Sequence, residues 1–87
     1  MFNEKADFYK IYCGTELIDI KYEMNEVVDS VSTLFRKKNF PLVVGYNKEL
    51  DMDFVVCFIL NEKKLNDFIK KVSENNVSER VEKVYRR

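Results

Sequence analysis

None of the 87 residues is histidine, and that absence narrows the available chemistry at once. Imidazole acid–base catalysis, Ser-His and Cys-His nucleophile pairs and His-ligated metals are all removed. Carboxylate, lysine and tyrosine chemistry remain. Glu49, Asp51 and Asp53 alternate along one stretch, and spaced carboxylates can hold Mg²⁺ or Ca²⁺. No glycine turn follows them, so this is not an EF-hand loop, and a solvated hairpin loop is the simpler expectation. Cys13 and Cys57 each sit inside an apolar run and read as small buried hydrophobes in a reducing compartment. Two cysteines without histidine cannot build a standard structural zinc site. Gly14 and Gly45 are the only glycines, too few for a phosphate-cradling loop. The residue inventory therefore points to no catalytic residue, no metal and no cofactor, and to a protein that is not an enzyme.

The remaining polar chemistry is cationic. Arg36-Lys37-Lys38, Lys63-Lys64 and Lys70-Lys71 suit helix ends and polar helix faces. Arg80 and Lys83 follow, and the tail Arg86-Arg87 is the least explained by structure. Phe8, Tyr12 and Tyr85 could form a stacking platform for unpaired bases, although no RNP-like run accompanies them. With 15 basic and 15 acidic side chains the formal charge is zero, which opposes non-specific polyanion binding.

The elements that must position these residues read as follows. Phe8–Cys13 and Glu16–Met24 alternate with period two around Gly14-Thr15, a pair suited to a type II′ hairpin turn. That turn sets Ile11 against Ile18, Tyr9 against Ile20 and Lys10 against Asp19. One face then carries Tyr9, Ile11, Cys13, Ile18, Ile20 and Tyr22, the other Phe8, Lys10, Tyr12, Leu17, Asp19 and Lys21. A helix is expected over Asn25–Lys38, with Asn25 as N-cap and a stripe of Val27, Val28, Val31, Leu34 and Phe35. Pro41 ends the helical region. Leu42–Tyr46 and Asp53–Leu60 then form a second hairpin around a polar loop. A second helix is expected over Asn61–Asn75, capped by Asn61 and carrying Leu65, Phe68, Ile69 and Val72. Glu79–Arg87 is expected to be a last strand.

The order ββαββαβ implies a single α+β domain over residues 1–87: a two-layer sandwich with a mixed or antiparallel sheet of about five strands and two helices on one face. It resembles a ferredoxin-like layout with an added strand. In that layout the strand before the first helix is central, whereas the tight first hairpin competes for one of its neighbours. A ββα unit is echoed twice, with Asn-Glu opening both helices.

Length and composition fit such a domain: 46% of the residues are apolar and 34% charged, which argues against disorder. The polar start Met1–Asp7 lacks a signal-peptide pattern, and the longest apolar run, Phe54–Leu60, is too short to span a bilayer. These readings lead us to expect a cytoplasmic protein without a membrane partner. Abundant Lys, Asn, Ile, Phe and Tyr with a single Ala suggest an AT-rich coding sequence, as in some bacteria, archaea or phages.

Two helices cover one sheet face, so the other should be polar. Phe8, Tyr12 and Leu17 nevertheless fall on it, and Phe54–Leu60 is apolar on both sides. Either the N-terminal segment (Met1, Phe2) or the sheet's twist seals that face, or it is a contact surface. The second reading makes the chain a small protein-interaction or regulatory module, a homodimer or an inhibitor from a phage or mobile element, binding through a sheet face or edge. Phe8, Tyr12, Leu17, Tyr85 and Arg86 are then the candidate partner-binding residues. The alternative is RNA or single-stranded DNA binding through the aromatics and C-terminal arginines.

Overall fold

The computed structural model describes the backbone of residues 6–85 and the side chains of residues 6–74. Its elements run β1 (Phe8–Cys13), β2 (Glu16–Lys21), α1 (Met24–Arg36), β3 (Pro41–Asn47), β4 (Met52–Phe58) and α2 (Glu62–Tyr85). The four strands form one antiparallel sheet in the order β2-β1-β3-β4. Both helices pack on one face, around a core of Ile11, Val27, Val31, Val43, Ile59, Phe68 and Val72.

The first hairpin forms where expected. Gly14 has φ +65°, the sign a II′ turn needs at its first central position, and Cys13 and Tyr12 pair with Glu16 and Leu17. Beyond that point the register departs from the expectation. A bulge between Ile11 and Tyr12 sets Ile11 against Asp19, Lys10 against Ile20 and Tyr9 against Lys21. Ile18 becomes the extra residue, and every later side chain of β2 changes face, because side chains alternate with period two. Asp19 thus turns toward α1, where its Oδ2 accepts a bond from Ser30 Oγ at 3.4 Å. Ile20 joins Lys10 on the opposite face.

The two ββα units correspond residue by residue. Ile11 and Val43 pair with each other across the central strands, and each sits beside the bulge of its own hairpin. Bulged Ile18 in β2 corresponds to bulged Val56 in β4, and Glu23 before α1 to Asn61 before α2. The units are thus related by an approximate two-fold axis beside the Ile11–Val43 pair, with a longer loop in the second. Asn61 caps its helix, its Oδ1 accepting from Lys64 N at 2.9 Å. Glu23 makes no side-chain cap bond. Asn25, expected as the cap, instead lies inside the first turn of α1.

The fifth strand expected over Glu79–Arg87 is not formed: α2 continues through Tyr85, and residues 86 and 87 lie outside the described region. Val81 and Val84 are three apart, a helical spacing, and Asn75-Asn76 stops no helix because neither residue is Gly or Pro. The order β2-β1-β3-β4 also leaves the strand before α1 at an edge, whereas a ferredoxin-like layout needs it in the centre. The tight hairpin won that competition.

Candidate functional site

The face of the sheet turned away from the helices is built from alternate residues of all four strands. Pairing aligns Leu17, Tyr12, Leu42 and Phe58 across it, then Ile20, Lys10, Val44 and Val55, then Phe8, Tyr46 and Asp53. Tyr22 completes the third row, its ring edge-on to Phe8 at 6.0 Å. Phe8 also stacks on Tyr46 at 5.1 Å. Leu17 is 45% exposed, Ile20 43%, Val55 67% and Phe58 46%. Single exposed hydrophobics are ordinary, but four on one contiguous face, bordered by aromatic rings, form a patch of the kind that marks contact sites.

One charged pair crosses this surface. Lys10 Nζ reaches from β1 over β3 to Asp53 Oδ1 of β4 at 3.0 Å and lies 5.7 Å from the centroid of the Tyr46 ring. Its aliphatic stem runs across the row of Val44, which is buried although it faces outward. Tyr46 Oη donates to Asp51 Oδ1 at 2.5 Å. That bond, reinforced by desolvation and by the negative charges of Asp51, Asp53 and Asp7, holds the phenol pKa above its ordinary value. Two of the loop's carboxylates are thus committed internally: Asp51 to Tyr46 and Asp53 to Lys10. Among the described residues no three His, Cys, Asp or Glu side chains are placed to hold a metal ion.

Phe8, Tyr12 and Leu17 share this face. Tyr85 ends α2 rather than standing in a strand, its side chain lies outside those described, and Arg86 lies outside the described residues. The sequence reading missed Ile20 and Tyr22, which the bulge transfers to the outer face, and it left Tyr46, Val55 and Phe58 unassigned. Period-two alternation in β3 and β4 carried a signal for Tyr46 and Val55, and the adjacent apolar pair Leu17-Ile18 in β2 is a local sign of the bulge.

Elsewhere, a shallow cleft of about 410 Å³ lies between β2 and α1, bordered by Ile18, Asp19, Lys21, Glu26, Asp29 and Ser30 among others. Its polar groups bond one another: Asp19 accepts from Ser30 and pairs with Lys21 at 3.5 Å. Both cysteines are unpaired thiols. Cys57 lies against the helix-side core, and burial pushes its pKa up to about 12, slightly opposed by Lys71. Cys13 is also raised, by burial and then by the Glu16 charge. Neither therefore has the depressed pKa of a reactive thiol. No helix among the described residues is long and apolar enough to cross a membrane. Comparison with protein-family models, curated proteins and solved structures found no match to this chain.

Proposed function

We propose that this protein is an interaction module that docks a protein partner on the outer face of its sheet and acts as a regulator or inhibitor by occupying or presenting that surface. The observation carrying this reading is the cluster of Leu17, Ile20, Val55 and Phe58, all large, apolar and solvent-exposed on the side the helices leave open. The face is favoured over the edges because both edge strands, β2 and β4, carry a bulge, and bulges blunt edge-to-edge pairing. A protein is favoured over RNA or single-stranded DNA by charge. Lys10 is the cation within the three described rows and is already paired with Asp53, while Asp7, Asp51 and Asp53 lie around Tyr46. Phosphates need free cations there.

The test replaces Val55 or Ile20 with lysine. Both side chains are exposed, so the melting temperature should stay within a few degrees of wild type. Tagged wild-type protein recovered from its native cell should hold a stoichiometric partner, and each variant should release it, with at least a tenfold weaker Kd. Equal retention by wild type and variants would refute the reading. Retention on single-stranded nucleic acid at low salt, weakening steeply as salt rises, would establish the alternative.

A further inference from the structure

The molecule also has an electrical direction along its strands. Asp7, Glu49, Asp51 and Asp53 lie at the end where β1 and β4 begin, outnumbering Lys48 in the same loop. Arg36, Lys37 and Lys38 lie at the other end, where α1 hands over to β3, and Lys63 and Lys64 lie there too, where α2 begins, outnumbering Glu16 and Glu62 at that end. The strand axis thus runs from an acidic to a basic end on a chain of zero net charge. We propose that the occupant of the outer face is a second copy of this chain, packed sheet against sheet with strand directions reversed, so that the acidic end of each copy lies on the basic end of the other.

This rests on the reading of the face as a protein-docking surface and names its partner. A two-fold axis in the plane of the interface, perpendicular to the strands, produces this arrangement. It is isologous, so the single patch serves both copies and the assembly closes at two. Sheets packed this way lie about 10 Å apart, with side chains of the two inner faces interdigitating. Each Lys10 is drawn toward its own Asp53, at its own acidic end, so the two lysines diverge across the axis.

Area sets the strength. The sheet face itself measures about 400 Å² in plan, from strand spacing and rise. Two such faces bury about 800 Å² before side-chain relief is added, close to the roughly 1,000 Å² that a specific interface needs. The expected dimer is therefore a micromolar one.

Sedimentation equilibrium from 5 to 200 µM tests it, with folding checked by circular dichroism. Wild type should fit a monomer–dimer equilibrium with a micromolar Kd. Val55→Lys and Ile20→Lys should be monomeric, while Thr33→Lys, the same charge placed on exposed α1, should behave as wild type. Glu49→Lys with Asp51→Lys makes both ends basic, and Lys37→Glu with Lys64→Glu makes both acidic. Each double variant should dissociate by tenfold or more, and an equimolar mixture should recover dimer. A wild type that is monomeric throughout, or face variants that still dimerise, overturns the proposal. If that monomer still loses a captured partner on Val55→Lys, the docking face stands and only the second copy is refuted. If capture is also unaffected, both fall.

Discussion

At the scale of single residues, position decides what a side chain can do. Cys57 is chemically a thiol but lies against the core, with its pKa pushed up to about 12 from an ordinary 9.0. The native state therefore keeps a proton that the unfolded chain loses above pH 9. Stability should be indifferent to this group below that pH and fall as pH rises between about 9 and 12, by up to roughly 1.4 kcal/mol per unit. Urea denaturation at pH 8 and pH 10.5 should show wild type losing about 2 kcal/mol more than Cys57→Ala over that interval. Equal losses would mean that the folded thiol titrates normally. Gly45 shows the opposite dependence, on absence. A Cβ there would lie 2.6 Å from Cζ of Phe54, so the Phe54 ring packs over a site that only glycine leaves free.

At the scale of elements, the ends of the helices separate what local sequence specifies from what it tolerates. Asn61 and the acidic Glu62 open α2 as their residue types suggest. The end of α1 is less orthodox. Lys38 N bonds Phe35 O at 2.9 Å and Asn39 N bonds Leu34 O at 3.1 Å, the pair of bonds of a Schellman motif, with Lys38 at the left-handed position with φ 68°. Glycine is the usual occupant. Lys38→Gly should therefore stabilise the fold by about 1 kcal/mol, since the left-handed backbone costs a side-chain-bearing residue about that much. In a domain of this size the melting temperature should rise by roughly 4–8 °C. An unchanged or lower value in a thermal melt would show that the lysine side chain contributes more than the strain costs. The β-bulges are the second elemental device. By turning Ile20 outward and Asp19 inward, the first moves apolar surface from the helix side of the sheet to the open side.

At the scale of the molecule, the core is thin. Among the described residues the buried cluster has seven members, and the total stability of a domain this size is about 4–13 kcal/mol. Ile11, fully buried where the two ββα units meet, should be one of the costliest positions to truncate. Ile11→Ala should lose about 2–5 kcal/mol, enough to leave a substantial unfolded population. Val55→Ala, on the open face, should lose under about 0.5 kcal/mol. Urea midpoints for the two variants give the comparison, and similar losses would mean that the open face is covered within a single copy. The asymmetry between the units belongs to this scale as well. Asp19 meets Ser30 in the first unit, where Cys57 and Phe68 occupy the corresponding positions in the second, so the first half of the core is the more polar.

By itself the sequence determined the two hairpins, both helix starts to within two residues, the α+β class and the excess of apolar strand positions, because turn chemistry, capping and periodicity are local. It led to a false fifth strand because short apolar patterns near a chain end are read without knowing whether a preceding helix stops. Strand order, the register slip at Ile18 and the membership of Ile20, Tyr22, Tyr46, Val55 and Phe58 in one surface were decided only by tertiary structure. Along β2 the adjacent apolar pair Leu17-Ile18 breaks the alternation, but which of two neighbouring side chains faces the core depends on what β1 and α1 bring against it, contacts between residues distant in the chain.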